Sequence, residues 1–415
     1  MSPSPSPDDV KYAYAVVDEI CARVGPGMPG TLQEHQRADV IRRELERHLG
    51  GDHVVTEPFS VAPWAWLSAY PICAVLIALA AAANLLAGYL GSVLVASIGL
   101  AFAVAAPVLF VAELVLGHEV LDRLFTRRPS ENVVGTLPAT GAPARVLIVS
   151  AHHDSAPENT WFATLGYAAF ALAVLALLGF AFALTFSAVQ VGGFLAGSAR
   201  AVAAGTLRPW LVAVVFVPGV VYGLAFNRGR AGGGTVPGAA DDLSGCGVTL
   251  ALCRFLVAHP EVVPAGTEIR FVSFGSEEAG LRGSRAYVAR HRDELRRLDA
   301  HVLDLEMIAH PTVGILRSDL NGTVIHAPAS VAAAVEAARR ARVPYEVRSA
   351  YLGVGTDAAP FSQAGIAATT LMPFDVPKQL VELYHQPSDR PEHLDPQALA
   401  NTLAVATEWV RARGD

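Results

Sequence analysis

Side chains able to bind a metal ion follow several apolar stretches of this sequence. The segment "LIVSAHHDS" places His152 and Asp154 two residues apart at the end of a predicted strand, and His153 between them receives no role. Residues two apart on a strand face the same side, and a metal-bound imidazole usually has its second nitrogen held by a carboxylate or carbonyl. Asp154 is therefore suited to support His152, although a single pair of this kind is more often structural.

Two pairs of adjacent carboxylates come later in the chain. Asp241 and Asp242 in "PGAADDLSG" precede a predicted helix, where they would either cap the helix or bind a cation. Glu277 and Glu278 in "FVSFGSEEAGL" come directly after a predicted strand. Because neighbouring carboxylates repel each other, such a pair usually turns toward different partners. A general base and a ligand would be one reason for the pair, and two solvated loop glutamates are the common alternative.

Two further segments carry candidate side chains. Glu306 ends the apolar strand "HVLDLEMI", and Asp304, two residues earlier on the same face, is a competing candidate. Tyr384 and His385 lie in the predicted loop "ELYHQPSD". Each of these signals is weak alone, and their order along one alternating chain makes them informative.

The elements that must position these residues alternate between strand and helix. This alternation predicts an α/β fold with a mostly parallel central sheet flanked by helices, and open sheets of this class collect functional residues at the carboxyl ends of their strands. The predicted strands cover residues 53–61, 131–138, 144–154, 268–278, 301–308 and 365–372. The predicted helices cover residues 9–24, 33–49, 245–259, 283–298, 330–341 and 395–413.

Long charge-free stretches interrupt this pattern. The chain is 52% hydrophobic and only 17% charged, whereas about a quarter of the residues in a soluble domain are charged. No charge lies between Glu57 and Glu113, a stretch that divides at "GYLGS", or between Glu158 and Arg200, and another apolar run covers residues 209–226. Runs of this length without a polar face are typical of membrane-spanning helices.

We therefore predict two transmembrane hairpins with about four spans, which interrupt a single α/β domain. The hairpins cover residues 64–116 and 161–227. The domain is formed by residues 9–61, 117–158 and 229–415, and residues 1–8 form a flexible tail.

The arginines near the predicted spans indicate an orientation. More of them flank the hairpins on the side of the α/β domain than lie in the connection between the third and fourth spans. The first group is Arg123, Arg127, Arg128, Arg228 and Arg230, and the second is Arg200 and Arg208. The positive-inside rule then predicts a multi-pass membrane protein with its α/β domain in the cytoplasm.

Taken in order, the motifs resemble the dinuclear zinc exopeptidase family that includes bacterial aminopeptidases of the aminopeptidase S type. Glutamate carboxypeptidase and glutaminyl cyclase are relatives in that family. The matching blocks read "AHHDS", "PGAADDLSG", "FVSFGSEEAGLRGS", "LDLEMI", "TDAAPFSQAGI" and "LYHQPSD". The resemblance covers residues 9–61, 117–158 and 230–412 and implies a phosphorylase/hydrolase-like sheet.

The resemblance also implies a role for each candidate residue. One zinc ion would be bound by His152, Asp241 and Glu306, and a second by Asp241, Glu278 and His385, with Asp241 shared. Glu277 would be the general base, Asp154 would support His152, and Tyr384 would donate a hydrogen bond to the oxyanion.

The chain departs from the family pattern at three places. Glu306 stands where the family usually has aspartate, so its side chain is one methylene longer. Ala240 and Asp242 flank Asp241 where the family commonly has asparagine, which leaves open whether Asp241 or Asp242 bridges the metals. The block "TDAAPF" lacks a histidine that often follows its aspartate.

The motifs and the apolar stretches together predict a membrane-embedded, zinc-dependent aminopeptidase. Such an enzyme would hydrolyse N-terminal peptide bonds with a water that bridges two zinc ions and a glutamate as general base. Manganese and cobalt are alternatives to zinc. Two other interpretations stay open: a catalytically inactive peptidase-like membrane scaffold or receptor, and a glutaminyl cyclase-like acyl transferase.

The predicted partners are a peptide with a free N-terminus and the lipid bilayer. A net charge of −7 and the lack of a basic stripe predict no nucleic-acid partner, and spans without ionisable residues disfavour a transporter. Because the second hairpin separates His152 from Asp241, we expect the site to lie close to the bilayer surface and substrates to approach along the membrane. The sequence carries no signal for an oligomeric state.

Overall fold

The computed structural model describes residues 3–207, 217–224, 234–350, 353–376 and 378–412. The chain divides into two compact units. The first, called the sheet unit, consists of Met1–Pro63, Thr126–Pro157 and Gly234–Asp415. The second, called the helical unit, consists of Trp64–Phe125 and Glu158–Gly233.

A mixed sheet forms the centre of the sheet unit. Its strands among the described residues are β1 (Val54–Val61), β2 (Arg128–Leu137), β3 (Arg145–His152), β4 (Thr267–Phe274), β5 (Ala300–Leu305), β6 (Val313–Asp319), β7 (Val324–Ile325), β8 (Tyr345–Ser349) and β9 (Ala367–Leu371). They lie in the order β1-β2-β4-β3-β5-β9-β6-β7, and β8 pairs with β6. The strands β4, β3, β5 and β9 are parallel, whereas β1, β2, β6 and β7 form antiparallel pairs toward the edges. The predicted parallel centre is confirmed, and the edge strands make the whole sheet mixed.

Strand β3 shows how the centre of the sheet is buried. Its sequence reads as a continuous apolar run because a parallel strand has both of its faces covered. Val149 packs into one hydrophobic cluster and Ile148 into another, as the alternation of side chains along a strand requires. Val149 also pairs with Phe271 on β4 and Leu303 on β5. The last residue of β3, His152, is therefore presented from a strand held on both sides and both faces.

The helices of the described residues follow in chain order. They are α1 (Pro7–Arg23), α2 (Leu32–Leu49), α3 (Ala65–Leu90), α4 (Val93–Phe110), α5 (Thr160–Leu165), α6 (Ala169–Leu195), α7 (Ala199–Leu207), α8 (Ser244–Ala258), α9 (Arg282–Arg297), α10 (Pro328–Ala341), α11 (Ala358–Gln363), α12 (Lys378–Glu382) and α13 (Pro396–Arg411). Helices α1, α2, α8 and α13 contribute to the hydrophobic cluster that contains Val149, and α9 and α11 to the cluster that contains Ile148. The sheet is thus flanked by helices on both faces, as predicted.

Helices α3 to α7 belong to the helical unit. Among the described residues, three helical stretches are long and apolar enough to cross a membrane: Ala65–Leu90, Val93–Val115 and Thr160–Leu195. The first pair turns at "GYLGS", where Gly91 has a φ of 64° and Ser92 Oγ accepts a hydrogen bond from Val95 N. The fourth predicted span, residues 209–226, lies mostly outside the described residues. Its described part, residues 217–224, is helical.

Uncharged polar side chains connect three helices inside the helical unit. Asn84 Nδ2 donates to Ser187 Oγ at 2.7 Å, and Gln190 Nε2 donates to the Asn84 carbonyl at 2.7 Å and to Thr206 Oγ1 at 2.8 Å. These four residues, which we call the amide cluster, link α3, α6 and α7. Gly99 on α4 packs so closely that a Cβ there would lie 2.4 Å from Asn84 Oδ1.

Candidate metal centre

The carboxyl ends of three neighbouring parallel strands deliver the first candidate side chains. His152 ends β3, Glu277 lies in the turn after β4, and Glu306 directly follows β5. Since β4, β3 and β5 are adjacent and parallel, these ends meet at one edge of the sheet. Asp241 comes from the turn before α8, and His385 from the loop after α12.

Asp241 lies between the two histidines. Its Oδ1 is 3.2 Å from His152 Nε2 and its Oδ2 is 3.4 Å from His385 Nε2. Glu306 Oε1 is 3.7 Å from His152 Nε2, and Glu278 Oε2 is 3.2 Å from His385 Nε2. Each histidine Nε2 therefore faces Asp241 and at least one further carboxylate, and Asp241 presents one oxygen to each side.

Asp154 connects His152 with the glutamate pair. Its Oδ1 lies 3.3 Å from His152 Nδ1. The same carboxylate accepts hydrogen bonds from the backbone N–H groups of Glu277 and Glu278, both at 3.0 Å. Because Nδ1 faces Asp154, the Nε2 atom of His152 is the one directed at Asp241. One fully buried carboxylate thus orients a histidine and two glutamates.

The two adjacent aspartates make different contacts. Asp242 accepts three backbone hydrogen bonds, from His152 N at 3.2 Å, Gly245 N at 3.2 Å and Met307 N at 3.1 Å. An oxygen of Asp242 also lies near donor atoms of His152 and Glu306, so proximity alone does not separate the two aspartates. The hydrogen bonds do separate them, because Asp242 holds the backbone while the carboxylate of Asp241 faces side chains.

The other candidates lie around this centre. Glu277 Oε2 is 3.9 Å from His152 Nε2. Asp304 accepts a hydrogen bond from Ser150 Oγ on β3 at 2.7 Å. The Tyr384 ring stacks on the His385 ring with centroids 3.8 Å apart, and its hydroxyl donates to the backbone carbonyl of Gly353.

His153 makes a separate contact. It is fully buried, and its Nδ1 lies 2.9 Å from Ser273 Oγ on β4. Burial lowers the pKa of His153 to about 3, so its imidazole is neutral. His153 therefore packs between the end of β3 and strand β4.

Burial makes this concentration of carboxylates unfavourable without a positive charge. It raises the pKa of Glu306 to about 8 and that of Glu277 well above its ordinary value. Burial also acts on Asp241, but hydrogen bonds from His152 and His385 outweigh it and lower the pKa of that carboxyl. A bound cation is often the largest charge in such a site and stabilises the ionised carboxylates.

The donor set fits metal ions. Nitrogen and oxygen donors without thiolates are typical of catalytic zinc sites. Within the described residues, one group with donor atoms less than 4.8 Å apart consists of Asp241, Glu278 and His385. Glu278 Oε1 is buried and makes no hydrogen bond to the described part of the chain, so this oxygen can bind a cation without losing a protein partner.

Two buried charged residues beside this centre were missed by reasoning from the sequence. Arg37 lies on α2 and is fully buried, and Asp389 follows His385 by four residues and is 1% exposed. The spacing of Arg37 from Ile41 and Leu45 places it on the buried face of its helix, which was an available signal. Asp389 lies inside the quoted block "LYHQPSD".

A mixed sheet flanked by helices, with histidines and carboxylates gathered at one edge, is the arrangement that the resemblance to zinc exopeptidases implied. Residues 227–410 match Peptidase family M28, and the resemblance predicted from the motifs is confirmed. Over 179 residues the chain is 32% identical to Aminopeptidase YwaD from Bacillus subtilis (strain 168), a match that covers 42% of this chain. It spans only 37% of that curated relative's length.

Solved structures show the same fold. BSAP, a zinc aminopeptidase from Bacillus subtilis, superposes with a TM-score of 0.56 at 17% identity and covers 97% of this chain and 95% of its own. Fimbriiglobus ruber glutaminyl cyclase gives a TM-score of 0.56 at 15% identity, over 99% of this chain and 96% of its own. The matching family is one of peptidases, and the matching curated relative is an aminopeptidase.

Proposed function

We propose that this protein is a membrane-embedded, zinc-dependent aminopeptidase that removes residues from the free N-terminus of peptides. The observation that carries this proposal is Asp241, whose two oxygens face two histidine nitrogens at 3.2 and 3.4 Å. A carboxylate in that position is suited to bridge two metal ions. His152 and Glu306 would complete the ligands on one side, and Glu278 and His385 those on the other.

Bound zinc ions would supply positive charge that polarises a carbonyl and lowers the pKa of a water molecule. The protein's own groups would supply the proton transfers and the orientation. Glu277 would accept the proton of the attacking water and deliver it to the leaving amine. Asp154 would keep both His152 and the Glu277 backbone in place, and Tyr384 would donate a hydrogen bond to the oxyanion.

The surface of the helical unit supports a location in the bilayer. Leu94, Val108 and Val174 are 69%, 60% and 55% exposed. Leaving such side chains in water forgoes about 1.5–3 kcal/mol each relative to burial, whereas hydrocarbon solvates them. Because more arginines flank the predicted spans on the side of the sheet unit, we place this unit on the cytoplasmic side. Protease treatment of sealed vesicles of known orientation tests this placement. Digestion of the sheet unit from the outer face would contradict it.

We also propose that substrates approach along the membrane, because the helical unit resumes at Glu158, shortly after the ligand His152. Released peptides and the N-termini of membrane-associated chains are the expected substrates. A variant with residues 160–228 replaced by a short soluble loop tests this idea. Full activity of that variant on all native substrates would contradict it.

The enzymatic proposal is tested by metal analysis together with activity on aminoacyl reporter amides. We expect two equivalents of zinc in the purified protein. We also expect Glu277→Gln to lower kcat by about 10²- to 10⁴-fold, because it removes the general base. Glu392→Gln, at an exposed glutamate, is the matched control and should leave kcat unchanged.

The two alternative functions give different results in the same experiment. Full zinc occupancy without hydrolysis across a library of peptides with free N-termini would favour an inactive scaffold. Release of ammonia from N-terminal glutaminyl peptides without peptide cleavage would favour a glutaminyl cyclase-like acyl transferase.

A further inference from the structure

The segment that carries Asp241 returns from the helical unit without joining the sheet. At the two ends of the insertion, Pro157 pairs with Thr235 in an isolated antiparallel bridge, and Val236 N donates to the Ala156 carbonyl at 2.9 Å. Gly238 then adopts a φ of 70°, and a Cβ there would lie 2.8 Å from Ser155 Cβ. We call these paired ends, residues 153–157 and 235–241, the neck.

Arg37 joins the two sides of the neck. Its Nη1 donates to the His153 carbonyl at 3.1 Å and lies 3.5 Å from the Asp154 carbonyl. Its Nη2 donates to the Pro237 carbonyl at 2.6 Å. Its Nε and Nη2 also donate to the Gly25 carbonyl, which anchors the guanidinium to the loop between α1 and α2. The guanidinium is thus surrounded by backbone carbonyls, and burial lowers the pKa of Arg37 from its ordinary value.

Asp389 holds the same returning segment from its other end. Its Oδ1 accepts a hydrogen bond from Ala240 N at 2.6 Å, and its Oδ2 accepts one from Asp241 N at 3.1 Å. Because Asp389 lies four residues after His385, these bonds also couple the His385 loop to Asp241. Burial raises the pKa of Asp389 to about 7, and the two N–H donors act against burial by favouring the ionised carboxylate.

We infer that Arg37 and Asp389 are positioning residues that set where Asp241 stands relative to His152 and His385. Arg37 fixes the start of the returning segment against the end of β3, and Asp389 fixes its end against the His385 loop. The inference rests on the proposed metal-dependent function. Neither residue belongs to the proposed ligand set. A long insertion separates His152 from Asp241 in the chain, and Arg37 and Asp389 would fix the position of Asp241 in spite of it.

The chemistry of the two side chains explains why simpler ones would not serve. The planar guanidinium presents donors in a fixed fork and can reach carbonyls on separate segments at once, whereas a lysine ammonium is a flexible point charge. The Asp389 carboxylate offers two acceptor oxygens to two successive N–H groups. An asparagine offers one acceptor oxygen and turns an N–H donor toward the second N–H group.

The test uses the full-length protein in detergent with zinc alone as the probe. The variants are Arg37→Lys and Asp389→Asn, and the controls are Arg42→Lys on the same helix and Glu392→Gln in the same loop region. Zinc affinity is measured by competition with a chromophoric chelator, kcat and KM with a reporter amide, and thermal unfolding on the metal-free protein.

We expect both variants to bind zinc about 10- to 100-fold more weakly, as is usual when groups that orient ligands are removed. We also expect kcat to fall more than KM, while the metal-free protein still unfolds cooperatively and both controls match the wild type. A purely structural role would lower the unfolding temperature and leave zinc affinity unchanged.

Three results would overturn the inference. The first is zinc affinity within twofold of wild type in both folded variants. The second is loss of cooperative unfolding in both metal-free variants, which would make the pair a folding requirement. The third is a wild-type protein that binds no zinc, which would remove the proposed function and the inference together, whereas the first two leave the proposed function standing.

Discussion

The two units of this molecule differ in the polar side chains that hold their interiors together. The sheet unit buries ionisable side chains, such as Asp154, Asp242 and Arg37, and each of these contacts backbone N–H or carbonyl groups. The helical unit buries the uncharged amide cluster and leaves leucines and valines on its outside. We propose that this difference reflects two different solvents, water for the sheet unit and hydrocarbon for the helical unit.

One residue of the helical unit shows the physical rule that both units share. Glu113 is fully buried near the end of α4 and accepts hydrogen bonds from Val120 N at 2.8 Å and Leu121 N at 3.2 Å. A buried charge is tolerated where backbone groups solvate it. In the sheet unit backbone groups solvate several carboxylates in one cluster, and we propose that bound cations add to this solvation.

Metal removal should produce the largest difference between the units. We expect chelation to abolish activity and to lower the free energy of unfolding of the sheet unit by about 3–4 kcal/mol, the effect of a ligand at 100 to 1,000 times its Kd. Thermal unfolding followed by near-ultraviolet circular dichroism, before and after zinc is restored, measures this. An unfolding temperature indifferent to chelator and zinc would contradict the role of cations in the sheet unit.

A charged substitution on the surface of each unit should show whether that surface faces water or hydrocarbon. We expect Val174→Arg on α6 to disfavour membrane insertion by about 2.5–3.5 kcal/mol, the usual cost of arginine at the centre of a membrane helix. Val55→Arg on β1 is the matched control, since Val55 is 52% exposed on the sheet unit and its replacement should change stability by less than about 0.5 kcal/mol. The fraction of protein in the membrane pellet measures the first effect, and equal behaviour of the two variants would break the comparison.

Loss of the amide cluster should have the smallest effect. We expect Asn84→Leu to lower the stability of the helical unit by about 0.6–1.7 kcal/mol, because hydrogen bonds between membrane helices contribute amounts of this size. Ser97→Ala is the control, since Ser97 Oγ donates only within its own helix, to the Val93 carbonyl. Unfolding in mixed detergent micelles measures both, and a loss no greater than that of the control would refute a role for the cluster in joining helices.

The sequence predicted the centre of the fold better than its edges. Strands β3, β4 and β5 are buried along most of their length, and the alternation with helices indicated that they are parallel. Strands β6, β7 and β8 were missed. β6 follows β5 without an intervening helix and so falls outside the strand–helix alternation. β7 has only two residues, and β8 is polar and half exposed, with its register supplied by pairing with β6. Such edge strands depend on tertiary contacts that a local pattern does not contain.

The candidate site divides in the same way. The motifs pointed to His152, Asp241, Glu278, Glu306 and His385, and the structure brings these side chains together. The sequence could not distinguish Asp241 from Asp242, because the difference lies in the three backbone hydrogen bonds that Asp242 accepts. Arg37 escaped notice because an arginine on an amphipathic helix usually faces solvent, and nothing local shows that carbonyls from distant segments surround it.

The insertion between the ends of the neck also imposes an order in time. His152 and Asp241 are 89 residues apart, and Asp241 and Asp389 are 148 apart. At about 5–20 residues per second, ribosomes take roughly 4–18 s to make the first of these stretches. During that interval β3 carries its histidine beside Asp154 but without Asp241, while the apolar helices of the insertion are still leaving the ribosome. The proposed centre can therefore be completed only after the insertion and the C-terminal loop have both been synthesised, so metal loading would be a late event in the life of each chain.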